Sequence, residues 1–131
     1  MKKGFTLIEL LVVIAIMALL LATAIVSISN TNAKKRDAIR MMNMKEIFKA
    51  LSLYINQTQK YPIYTGTITG SDTMSVALQN AGTISKVPTD PLASYNYTYT
   101  SSGGTTFALG FCLETNTIKG YSQGCGNTIS P

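Results

Sequence analysis

From Phe5 to Tyr61 the chain contains neither glycine nor proline, the two residues that most readily interrupt an α-helix. Its side chains divide this long helical stretch into two kinds. Leu10 to Leu21 carries no polar side chain at all, and the apolar character reaches from Phe5 past Val26. At about 1.5 Å per residue, residues 5–29 are long enough to cross the hydrocarbon of a bilayer. After Arg36 the pattern turns amphipathic. Met41, Met44, Phe48, Leu51 and Ile55 follow at spacings of three and four, flanked by Ile47 and Tyr54. Lys45, Glu46 and Lys49 take the other faces. The reading is a membrane-crossing half over residues 5–29 and an amphipathic half over 30–60. The second half is expected to lean its stripe on a folded domain. Asn56 to Gln59 followed by Tyr61-Pro62 marks the end, because proline disfavours helical backbone in the residue before it.

Residues 62–131 leave 70 positions, a size at which a lone core needs a staple. Thr65 to Gly70 is a loop with weak strand character. Ser71 as N-cap and Gly82 as the residue past the end enclose a short helix from Asp72 to Ala81. Val87-Pro88-Thr89-Asp90-Pro91 is an extended connector, since both prolines bar regular helix. The period then changes to two. Tyr95, Tyr97 and Tyr99 form an aromatic strand face, and Ser101 to Gly104 a turn. Phe107, Leu109, Phe111 and Leu113 line one face of a second strand, with Ala108, Gly110 and Cys112 on the other. Glu114 to Asn116 turns into a third strand, Thr117–Ser122. The tail Gln123–Pro131 shows no regular pattern, and Cys125 would tie it to the middle strand. The expected fold class is α+β. A long N-terminal helix packs on a small three- to four-stranded antiparallel sheet, the head occupying residues 61–131.

Cys112 and Cys125 are the only cysteines. In an exported domain this small they read as one intrachain disulfide, worth roughly 3 kcal/mol in the chain-entropy model. In a cytosolic protein they would be two free thiols.

The net charge is +5, of which Lys2 and Lys3 supply two ahead of the apolar run. Lys34-Lys35-Arg36 is the one basic run beyond it, and such a run beside a membrane segment rests near lipid headgroups. Catalysis finds no support. There is no His, no G-x-S-x-G elbow and no phosphate-binding glycine loop, so no catalytic residue and no cofactor are assigned. Asp37, Glu46, Asp72, Asp90 and Glu114 are scattered singly with no motif that pairs them. Cys/His metal ligands are missing, and residues 115–131 hold no carboxylate side chain, which argues against a calcium loop there. No metal site is assigned. Two sequons, Asn56-Gln57-Thr58 and Asn96-Tyr97-Thr98, carry little weight.

One charge is out of place. Glu9 stands inside the apolar run, where a carboxylate costs roughly 2.5–3.5 kcal/mol on insertion scales. A cleaved secretory signal with Ala22-Thr23-Ala24 as its A-x-A site would release a chain starting at Ile25, but leaves Glu9 unexplained. A plain single-span anchor leaves it unexplained too, and lysines on both flanks give no clear orientation. Cleavage after Gly4 would explain it. The new α-amine on Phe5 lies four residues before the carboxylate, and each Glu9 could neutralise the amine of a neighbouring copy.

At these residues the chain resembles a known family. Lys3-Gly4-Phe5-Thr6-Leu7-Ile8-Glu9-Leu10 is similar to the class III signal of type IV prepilins and type II secretion pseudopilins. The resemblance implies that a membrane prepilin peptidase cuts after Gly4 and methylates the amine of Phe5. Glu9 then guides docking into a filament. Asp37-Ala38, Tyr61-Pro62 and Val87-Pro88-Thr89-Asp90-Pro91 extend the likeness more weakly toward the head. Two departures stand out. The apolar helix lacks the Gly or Pro that many members carry, and the C-terminal loop lacks the calcium-binding acids of major pseudopilins. The cysteine pair would take over that stapling role, which points to a pilin proper. The implied partners are identical subunits, the peptidase/methylase, an assembly platform with its ATPase, and the cytoplasmic membrane before assembly. Residues 1–4 would be the leader, with the N-terminus inside and the head outside, its tyrosines and Thr/Ser loops forming the outer surface. Nucleic acid is not expected as a partner except through a DNA-uptake role.

Overall fold

The computed structural model describes residues 4–131; Met1, Lys2 and Lys3 of the expected leader lie outside the described residues. The elements are α1 (Leu7–Thr58), β1 (Tyr64–Thr67), α2 (Thr73–Asn80), β2 (Thr98–Ser101), β3 (Ala108–Leu113) and β4 (Gly124–Ile129). The chain divides between Ala33 and Lys34 into two units, and α1 contributes to both.

In the first unit α1 starts at Leu7 because Thr6 takes the cap. Every described side chain from Phe5 to Asn32 is exposed, so among the described residues this stretch contributes none to a buried core. Two of its hydroxyls are turned back onto the helix. Thr23 Oγ1 donates to the Leu20 carbonyl at 2.9 Å, and Thr31 Oγ1 to that of Ser27 at 2.9 Å. The helix therefore satisfies its own backbone and these two hydroxyls while presenting hydrocarbon outward, as a membrane segment must.

The second unit is built the opposite way. Met44, Ile47 and Leu51 of α1 are fully buried, with Met41, Phe48, Tyr54 and Ile55 partly covered. Against them lie Tyr97 and Tyr99 from the β2 strand and the stretch before it, Phe107, Leu109, Phe111 and Leu113 from β3 and its approach, and Met74 and Leu78 of α2. Phe107 is the hub of the aromatic packing, with ring centroids 4.7 Å from Tyr61 and 5.6 Å from Phe48. The sheet is antiparallel in the order β1-β2-β3-β4. The fold class is α+β, with the amphipathic half of α1 packed on a four-stranded sheet.

Three local expectations are corrected. The fourth strand is Gly124–Ile129, inside the tail read as irregular, whereas Thr117–Ser122 is a loop. Buried Asn127 holds that loop by accepting from the Ser122 N–H at 3.0 Å and donating to the carbonyls of Ser122 and Gly124. Thr65–Thr67, read as part of a loop with weak strand character, belongs to edge strand β1 by pairing with β2. The cap of α2 is Asp72 and not Ser71. One Asp72 oxygen accepts from the Ser75 N–H at 3.0 Å, the other from the Thr69 N–H at 2.8 Å. Gly82 does close α2 with a positive φ of 69°. At the end of α1, Gln59 itself takes φ 64° and donates its N–H to the Ile55 carbonyl. The tyrosines do not form an outer surface. All seven are buried or half-buried.

Candidate functional site

The first candidate site is the start of α1. Thr6 and Glu9 stand in the T-x-x-E spacing of a capping box. The Glu9 Oε2 atom accepts from the Thr6 N–H and the Thr6 hydroxyl, both at 2.8 Å, while the Glu9 N–H points to Thr6 Oγ1 at 3.4 Å. Sequence reasoning passed over this box, although the four-residue spacing is a recognised signal. The carboxylate therefore has a partner within its own chain. Oε1 accepts no hydrogen bond from the described residues. Phe5, Ile8, Glu9, Val12 and Val13 together line a shallow open groove on this end of the helix.

Gly4 and Phe5 lie just ahead of the cap. A Cβ placed on Gly4 meets nothing within 4 Å, and its backbone is not in the left-handed region. The fold of the described chain would thus accept almost any residue at position 4. Phe5 is 84 % exposed and packs on nothing within its unit.

Residues 1–25 match the family model described as the prokaryotic N-terminal methylation motif. No curated protein and no solved structure matches the chain. The motif is the signature of the prepilin-type signal of type IV pilins and pseudopilins. That signal on a membrane-capable helix supports a pilin-like or pseudopilin precursor, a kind of protein anchored first in the membrane and later carried into a surface filament.

A second constellation lies wholly in the second unit and was not anticipated. The acids read as scattered are in part gathered. Asp37, Asp90 and Glu114 surround the fully buried Arg40. Arg40 Nε and Nη2 hold Asp90 in a fork at 2.7 and 2.9 Å, and Nη1 reaches Asp37 at 2.8 Å and Glu114 at 2.6 Å. Its guanidinium carbon lies 4.9 Å from the centre of the Tyr95 ring. Arg36, expected near lipid headgroups, is instead bonded through Nε to Glu114 at 2.8 Å. Asp37 accepts from the N–H groups of Glu114 and Thr115 at 2.9 and 2.8 Å. Two segments distant in sequence, Asp90–Tyr95 and Glu114-Thr115, are thereby fastened to one turn of α1.

The electrostatics are those of a structural clamp. Burial works against the charge on Arg40, but hydrogen bonds to Asp90, Glu114 and Asp37 outweigh it and hold its pKa above the usual arginine value. Hydrogen bonding from Arg36, and then from Arg40, outweighs the cost of burial at Glu114 and pulls its pKa down to about 2. The acids are bound by guanidinium groups. A sequence clue did exist, since Asp37 and Arg40 continue the inward stripe of Met44, Ile47 and Leu51 by whole turns.

Cys112 and Cys125 are joined in a disulfide that fastens β3 to β4, beside the irregular pairing between Phe111 and Leu113.

Proposed function

We propose that this chain is the structural subunit of a type IV pilus, cleaved between Gly4 and Phe5 and methylated on the Phe5 amine. It then polymerises through the apolar half of α1. The observation that carries the reading is the complete exposure of the described apolar side chains from Phe5 to Ile28, with Glu9 among them. A helix that buries nothing in its own unit needs lipid or other copies of itself. The methylation motif on residues 1–25 supports a prepilin peptidase as the enzyme that meets it first.

Glu9 then has two duties. Oε2 stays on the Thr6 cap, which cleavage after Gly4 leaves intact, because both Thr6 donors remain in the mature chain. Oε1 takes the new Phe5 amine of a neighbouring copy, and the pairing sets the register between helices. Lipid offers no partner for that charge, so the pair favours the bundle over the bilayer. The prepilin peptidase supplies the amine, and an assembly platform with its ATPase supplies the work of extraction. The disulfide and the missing acids of residues 115–131 favour a pilus over a secretion or competence pseudopilus, the second reading.

Glu9→Gln separates the two duties. Glutamine serves in a capping box as glutamate does, but carries no charge. We expect the variant to insert into the membrane and to be absent from sheared filaments. Normal incorporation of Glu9→Gln would reduce the residue to a helix cap.

A further inference from the structure

Within the second unit, opposite charges are sorted by depth. Asp37, Asp90 and Glu114 are claimed by Arg36 and Arg40, and Asp72 by the start of α2. Glu46 is the one acid of this unit left exposed. The lysines do the reverse. Lys34, Lys35, Lys45, Lys49, Lys60, Lys86 and Lys119 are all exposed, and among the described residues none forms an ion pair.

Lys34 and Lys35 differ from the other five in position. They directly follow Leu10–Ala33, a run of 24 residues without a charged side chain. That run rises about 36 Å as a helix, against about 30 Å of bilayer hydrocarbon. Asn30 and Asn32 already mark its polar end, so the first cations beyond it fall at headgroup level. The nearest exposed acid along α1 is Glu46, eleven residues or more away and thus at least about 16 Å along the axis. A second copy brings the same seven exposed lysines against one exposed acid in this unit, so it does not neutralise the excess.

We propose that Lys34 and Lys35 bind the phosphates of anionic lipid headgroups, holding the unassembled subunit at a set depth until it is extracted. The proposal rests on the membrane-anchored stage of the reading above. Lysine suits the task, because its apolar stem lies along the end of the hydrocarbon while its ammonium reaches a phosphate oxygen. Arg36 cannot share it while bonded to Glu114. Extraction into a filament has to break these contacts, so anionic lipid acts as a brake on release.

The test uses the full chain reconstituted into phosphatidylcholine vesicles, with spin-labelled phosphatidylglycerol or phosphatidylcholine as the probe lipid. A Lys2→Gln/Lys3→Gln background removes the leader's own lysines from the measurement. A lysine near the surface is worth about fivefold in binding at low salt. We expect a severalfold preference of the protein-bound lipid for phosphatidylglycerol. Lys34→Gln/Lys35→Gln should abolish it, and Lys45→Gln/Lys49→Gln, with the same charge removed, should keep it. No preference in the background chain, or equal loss in both pairs, would overturn the proposal. Neither cleavage nor polymerisation enters this measurement. A chain that forms filaments but shows no lipid preference would therefore sink this inference alone.

Discussion

The two halves of α1 share one backbone geometry and solve opposite problems. From Lys34 to Thr58 the helix buries Met44, Ile47 and Leu51 against its own head, and even its charged residues Asp37 and Arg40 turn inward. From Leu7 to Asn32 every described side chain is exposed. Burying apolar surface is favourable wherever the cover comes from. One half finds its cover in the same chain, and the other has to find it in lipid or in another subunit. The contrast teaches that the head is a self-sufficient fold, whereas the apolar half is an interface waiting for a partner.

That contrast can be broken by substitution, using the tyrosine signal of the protein in detergent, since all seven tyrosines lie in the second unit. Arg40→Ala should have the largest effect. It strands Asp37 and Asp90, whose side chains are 0 % and 1 % exposed, and should destabilise the head by about 3–5 kcal/mol in denaturant unfolding. Leu51→Ala follows, at about 2–5 kcal/mol, for the cavity it leaves. A smaller effect concerns acid. Glu114 titrates near 2 in the fold, below its ordinary 4.5. The stability it contributes is thus fully present above about pH 4.5 and lost as the pH falls toward 2. Glu114→Gln should flatten that part of the profile. The smallest effect is expected from Leu19→Ala in the apolar half, within about 0.5 kcal/mol for the head. A loss there as large as that of Leu51→Ala would show that the two halves are not independent in stability.

Much of this was legible in the residues because the signals were local. The glycine- and proline-free run, the Met44–Leu51 stripe and the Phe107–Leu113 alternation each carry their own period. The last strand did not. Gly124-Cys125-Gly126-Asn127 has little strand propensity, and it is held by pairing with β3, by the disulfide and by the Asn127 side chain. The clamp around Arg40 was hidden for a similar reason, its partners Asp90 and Glu114 lying 50 and 74 residues away. At the candidate site the motif was plain, and the Thr6–Glu9 cap within it less so, because a carboxylate at the edge of an apolar run has the same sequence signature whether it is an unpaired charge or a helix cap.

The most direct measurement is the mass and terminal sequence of the chain recovered from filaments. The account predicts a polypeptide beginning with N-methylated Phe5, its Glu9 four residues on. A mature chain beginning at Ile25 would contradict it, because the apolar half of α1 and its one charge would then have been discarded before any assembly could use them.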